Sequence, residues 1–169
     1  HGTSPTVTHC IFSGNAAHYG AGMVNRSAGP RPFPTVNNCT FSNNLATHGG
    51  GMYNEGSTPT VTNCTFLGNK ATYEGGGMRN FSSSRTIVTN CIFWGNNTQI
   101  QNYLSNNTVY TYCLVQGGYA AGTNILDLDP LFVDATNGNL RLQACSPAIN
   151  AGENTGISGT DLDNNSRIY

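Results

Sequence analysis

Five cysteines recur inside one short frame, and they are the first residues of this 169-residue chain whose type and spacing suggest chemistry. Cys10, Cys39, Cys64, Cys91 and Cys113 sit at matching places in Thr-Val-Thr-His-Cys-Ile-Phe-like segments, 29, 25, 27 and 22 positions apart. Thiols can hold zinc, pair as disulfides or act as nucleophiles. Zinc needs ligands converging from four directions, and the chain contains no Cys-x-x-Cys. If each frame is one strand of a stack, the five side chains point the same way at ~4.8 Å intervals. That spacing disfavours relaxed bridges. The set therefore reads as an inward ladder of reduced thiols acting as small apolar residues, with Cys145 outside it.

A second group surrounds the glycine runs. His18 and His48 precede Gly20 and Gly49, and Tyr19, Tyr73, Glu74 and Arg79 fall in the same part of the repeat. His48, Tyr73, Glu74 and Arg79 are the candidate ligand-binding residues, a polar and aromatic edge suited to stacking on a sugar. The plainer alternative is loop histidines on a solvated edge. A third group lies near the end: Asp161-Leu-Asp163-Asn-Asn165 places oxygens at alternate positions, as the start of a calcium loop does. Calcium is the one cofactor these residues suggest, held by Asp161, Asp163 and Asn165. The Gly and distal Glu of an EF-hand are absent, so surface turns compete with that reading. Asp127 and Asp129 form a second candidate pair.

Acid–base catalysis on a polysaccharide needs clustered carboxylates, or a Lys or Arg base beside a metal. Residues 1–126 offer only Glu55 and Glu74 as acids, with Lys70, Arg79 and three further Arg. No catalytic set is recognisable in so sparse an inventory. A polysaccharide lyase or hydrolase, or a fragment of one, stays as the alternative to a non-catalytic binding module.

The elements that must position these residues are repeats. Pro5-Thr-Val-Thr-His-Cys-Ile-Phe12, Pro34-Thr-Val-Asn-Asn-Cys-Thr-Phe41, Pro59-Thr-Val-Thr-Asn-Cys-Thr-Phe66 and Thr86-Ile-Val-Thr-Asn-Cys-Ile-Phe93 share a frame, and Thr108 to Val115 is a weaker copy. Between them recur Gly20-Ala-Gly-Met-Val-Asn25, Gly49-Gly-Gly-Met-Tyr-Asn54 and Gly75-Gly-Gly-Met-Arg-Asn80. Thr60-Val61-Thr62 and Cys64-Thr65-Phe66 each alternate with the period of a half-buried strand. They are out of phase with each other, so Asn63 must make a corner. The Met segment supplies a third strand. Three short strands in about 25 residues, without helical periodicity, predict an all-β right-handed parallel β-helix. About five coils occupy 1–126, and 127–169 form an irregular closing segment of the same solenoid. Repeated Asn at the corners predicts asparagine ladders that satisfy backbone groups.

Composition agrees. Asn numbers 23, Thr 20 and Gly 21, the vocabulary of short strands and tight corners. Charged residues are 9% of the chain, against roughly 25% in soluble domains, and the net charge is −1. Nucleic acid is therefore not an expected partner, and no run approaches the ~18 apolar residues of a membrane span. The six acids of 127–169 contrast with two in 1–126. Outward Thr6, Thr8, Thr60, Thr62, Thr89 and Thr111 form a Thr-x-Thr array that gives ice binding as a minor alternative, interrupted by Asn37 and Ile87.

The Gly49 to Asn54 and Asn63 to Phe66 segments resemble the coils of bacterial surface β-helix proteins, including polymorphic outer-membrane proteins. Asp129-Pro-Leu-Phe-Val-Asp134, Ser146-Pro-Ala-Ile-Asn-Ala-Gly152 and Asp161 to Ile168 look like the closing segment of large anchored bacterial β-helix proteins. Cys145 departs from that pattern, as does Asn164-Asn165-Ser166. The resemblance implies part of a longer polypeptide, outside the cell or on a bacterial surface. There it would act as a rigid stalk or adhesin whose partner is a glycan or a surface protein.

Overall fold

A computed structural model describes residues 4–27, 29–104 and 107–154. The Thr-Val-Thr frame of each repeat forms the first strand of a coil, and the Cys-x-Phe frame forms the second. The first coil comprises β1 (Thr6–Thr8), β2 (Ile11–Ser13), β3 (Ala16–Tyr19) and β4 (Met23–Arg26). The second holds β5 (Thr35–Asn37), β6 (Thr40–Ser42), β7 (Leu45–His48) and β8 (Met52–Glu55). The third holds β9 (Thr60–Thr62), β10 (Thr65–Leu67), β11 (Lys70–Glu74) and β12 (Met78–Phe81). A fourth has three strands, β13 (Ile87–Thr89), β14 (Ile92–Trp94) and β15 (Ile100–Tyr103), followed by β16 (Val109–Thr111) and β17 (Leu114–Val115). The result is an all-β solenoid of about four turns, with every coil-to-coil pairing parallel and in register apart from one bulge in β11.

Two features differ from the sequence expectation of five three-stranded coils. The complete coils carry four strands, because Ala16–Tyr19, Leu45–His48 and Lys70–Glu74 pair as a third sheet of their own. The fourth coil lacks that strand, spending residues 97–99 where the third spends 70–77. The Asn97 side chain replaces the missing backbone. Its Oδ1 accepts from the Ala71 N–H at 3.0 Å, and its Nδ2 donates to the Ala71 carbonyl at 2.6 Å.

Corners follow from the phase breaks. His9, Asn38, Asn63, Asn90 and Tyr112 all adopt left-handed backbone between the first two strands, with φ of 52–55°. That conformation is least costly for Asn among residues with a side chain. Gly51 shows why the third corner is glycine. A Cβ there would lie 2.5 Å from the Gly77 carbonyl oxygen and 2.9 Å from the Phe66 ring.

Inward side chains stack by column. Val36, Val61 and Val88 are fully buried, as are Phe41, Phe66, Phe93, Met52 and Met78. The phenyl rings lie 4.6–4.9 Å apart and within 7° of parallel. Cys39, Cys64, Cys91 and Cys113 occupy one buried column, Cys10 is half-buried in the first coil, and Cys145 is exposed. All six are free thiols. Burial pushes the Cys91 thiol well above its ordinary range, which suits a packing role and opposes nucleophilic chemistry.

Two amide ladders run through the solenoid. In the corner ladder, Asn15, Asn44 and Asn69 each donate main-chain and side-chain N–H to the Oδ1 of the Asn one coil on, ending at Asn96. In the strand ladder Asn25, Asn54 and Asn80 donate Nδ2 to the next Oδ1 at 2.7–2.8 Å, and Asn102 continues to the Tyr119 hydroxyl. Tyr119 and Ile125 pack over the final coil, and lone bridges join Thr111 to Thr123 and Leu114 to Leu126. Beyond Leu126 the chain leaves the stack. It forms an antiparallel pair, β18 (Phe132–Asp134) and β19 (Asn139–Leu142), then returns to the wall, where the Glu153 main chain exchanges two hydrogen bonds with the Asn90 side chain.

Candidate ligand-binding face

The side chains that sequence reasoning assigned to loops lie on strands. In the third sheet Ala17, Ala46 and Ala71 pair in register, and Ala46 and Ala71 are buried. Small residues here let the sheet close on the core. Tyr19, His48 and Glu74 share one register column. A bulge in β11 inserts one extra residue before Glu74 and leaves Tyr73 70% exposed.

The fourth sheet continues this surface. Its outward columns are Val24, Tyr53, Arg79 and Gln101, then Arg26, Glu55, Phe81 and Tyr103. Rings meet across both sheets: His48 stacks on Tyr19 at 5.5 Å and on Tyr73 at 5.3 Å, Tyr19 leans on Tyr53 at 4.9 Å, and Phe81 stacks on Tyr103 at 5.6 Å. His18, on β3, makes an edge contact with His48 at 6.2 Å. A continuous aromatic strip results.

Charge is embedded in the strip. Arg26 pairs with Glu55 at 2.7 Å and lies over the Tyr19 ring at 5.2 Å. Arg79 points outward yet is only 8% exposed, because its neighbours cover it. Its guanidinium meets Glu74 at 3.0 Å, contacts Nδ1 of His48 and lies over the Phe81 ring. A guanidinium only donates, so His48 Nδ1 must accept and the ring proton resides on Nε2. His48 is thus a neutral imidazole. Burial, then Arg79 and His18, hold it below its ordinary range against the opposing pull of Glu74. Burial likewise pushes the Tyr53 phenol up to about 12, with Glu55 adding to it.

Of the sequence candidates, His48, Glu74 and Arg79 form one contact cluster and Tyr73 stacks on it. Lys70 sits at the opposite end of β11 from Glu74. Asp161, Asp163 and Asn165 lie outside the described residues. Among the described residues no three His, Cys, Asp or Glu side chains come together as metal ligands. Asp127 and Asp129 brace turns instead, accepting from the Gly117 and Leu131 N–H groups. The Thr columns on the first sheet are broken: Thr6, Thr35 and Thr60 give way to Ile87 and Val109, and Asn37 stands between Thr8 and Thr62.

Sequence reasoning pointed to the segments around Arg26 and Tyr103 but missed Tyr53, Phe81 and Glu55. The signal was present, since each lies two or four residues past a Gly-Gly-Gly run, alternating with the buried Met and Asn. A model of the family described as right handed beta helix region matches residues 1–166. The chain belongs to that family. No curated protein and no solved structure matches it. Family membership accounts for the coils and leaves the chemistry of the face to its own residues. In this β-helix the face carries two carboxylates, each committed to an arginine. Such an arrangement orients rings and presents hydrogen-bonding groups without a free acid–base pair.

Proposed function

We propose that this β-helix is a non-catalytic module of a secreted or bacterial cell-surface protein, and that it binds a glycan along the aromatic strip. One observation carries the reading: the strip ends in the exposed residues Tyr73 and Tyr103, 70% and 48% exposed, while its middle is fixed by stacking and ion pairs. Pyranose rings present flat C–H faces to aromatics and hydroxyls to polar groups, and fixed rings avoid the entropy cost of ordering on binding. The test is a glycan array followed by calorimetry on any hit. Tyr73→Ala and Tyr103→Ala should each weaken binding by about tenfold, the worth of one lost stack of roughly 1–1.5 kcal/mol. Undiminished affinity in both variants refutes the strip.

The embedded cluster favours one second reading, a polysaccharide-active enzyme, because a neutral His48 lies within one guanidinium of Glu74. Depolymerisation that disappears in Glu74→Gln, with binding retained, would replace the first reading by this one. Unchanged polymer length over prolonged incubation supports the binding module.

A further inference from the structure

The strip leads to a notch. Four loops join the fourth sheet to the first, spanning residues 27–34, 56–59, 82–86 and 104–108. The second is the shortest, and its Ser57 is fully buried. A cavity of about 190 Å³ lies among these loops, lined by Arg31, Ser83, Ser84, Arg85, Leu104 and Asn107. Phe81 and Tyr103, the last rings of the strip, end the strands that feed directly into Ser83 and Leu104.

Charge accounting sets this notch apart. The coils contain two acids, Glu55 and Glu74, which are taken by Arg26 and Arg79. Among the described residues Arg31 and Arg85 have no carboxylate partner, and both line the same cavity. The backbone fixes their approach. The Arg85 N–H donates to the Ser57 carbonyl at 3.0 Å, the Thr58 N–H to the Pro32 carbonyl at 2.9 Å, and the Ser83 N–H to the Leu104 carbonyl at 2.8 Å. The Ser84 hydroxyl is spent on the Phe81 carbonyl, so the guanidinium groups with Ser83 and Asn107 are the donors left to a ligand. Two guanidinium-bearing residues line one cavity whose other lining residues carry no charge.

We infer that this notch is a subsite for one anionic group, a sulfate or carboxylate, borne by the glycan that lies on the strip. The inference rests on the glycan-binding reading for its ligand but not for its chemistry. Guanidinium groups grip tetrahedral and planar oxyanions with charge-assisted hydrogen bonds.

Two measurements test it. First, inorganic sulfate and acetate are titrated into the wild type and into Arg31→Ala/Arg85→Ala, reading the arginine Nε–H resonances. Saturable shifts in the wild type that vanish in the variant support the subsite; linear, unsaturating shifts overturn it. Second, dextran sulfate is compared with neutral dextran, and polygalacturonate with its methyl ester. The charged member of at least one pair should bind about tenfold more tightly, and that preference should collapse in the double variant. Which pair responds separates sulfate from carboxylate. A preference that survives the double variant overturns the subsite. Sulfate saturation without binding of any polymer leaves the subsite standing and removes the glycan reading. Polymer binding lost in Tyr103→Ala but indifferent to charge does the reverse.

Discussion

Asn69→Ala tests how the solenoid holds its face rigid. Asn69 is fully buried. Its Oδ1 accepts from the Asn44 main-chain N–H at 3.1 Å and from Asn44 Nδ2 at 2.9 Å, and its Nδ2 donates to the Phe41 carbonyl at 2.9 Å and to Asn96 Oδ1 at 3.0 Å. The Asn44 amide keeps the Phe12 carbonyl as a second acceptor, but its main-chain N–H is left buried with nothing to accept it. One orphaned buried donor at about 1–3 kcal/mol, plus three lost hydrogen bonds at about 0.5–1.5 each, gives a loss of about 2.5–7.5 kcal/mol. For a chain of this size that lowers the thermal midpoint by roughly 5–30 °C. Asn15→Ala at the exposed end of the ladder removes only its Nδ2 donation to Asn44 and should cost about 0.5–1 kcal/mol. Asn69→Asp adds a sign test. A carboxylate here is desolvated, so that variant should be least stable above neutrality and recover as acid protonates the side chain. Chemical denaturation followed by far-ultraviolet circular dichroism reads all three. Equal losses at positions 15 and 69, or a loss below about 1 kcal/mol at 69, would refute the ladder as a structural support.

Further expectations are more compact. His48 has its folded pKa depressed, so its contribution is complete above the unfolded value of 6.5 and is lost as pH falls through the lower folded value. Denaturation midpoints across pH 5–8 should show that fall, and His48→Gln should flatten it. Tyr53 has its folded pKa raised to about 12, so its contribution is present below 10 and is lost between 10 and 12. Burial raises the Tyr110 and Tyr119 phenols as well, so alkaline spectrophotometric titration should find several late phenols and Tyr53→Phe should remove one of them. Gly51→Ala should destabilise by about 2 kcal/mol or more through collision with the Gly77 backbone, whereas exposed-face Thr62→Ala should stay within about 0.5 kcal/mol.

Most of the coil was legible because it is periodic. Val61, Cys64, Phe66 and Met78 return to the same inward place in each repeat, and the three-residue step from Val61 to Cys64 forces the left-handed corner found at Asn63. The third strand was not legible. Its inward residue is Ala, too small to register as an apolar position beside Phe or Met, and its neighbours are His, Thr, Tyr and Lys, which read as a loop. Arg79 shows a different limit. A charged residue at an outward position is expected to be solvated, and its burial depends on His48 and Glu74 from the adjacent sheet, a contact that no spacing within one repeat encodes.

The candidate chemistry lies where the repeat is broken. Conforming positions are spent on stacking, and identical outward residues on successive coils would place like charges about 4.8 Å apart, which is unfavourable. The face avoids this by changing residue type along each column. Val24, Tyr53, Arg79 and Gln101 follow one another, and Arg26, Glu55, Phe81 and Tyr103 alternate charge with ring. The bulge that exposes Tyr73, the missing strand capped by Asn97 and the short loop at Ser57 are likewise single departures from an otherwise regular stack. Regular coils supply a rigid frame whose ordering is completed on folding. The departures then add distinct groups at fixed separations, as a site for an extended, chemically uneven polymer requires.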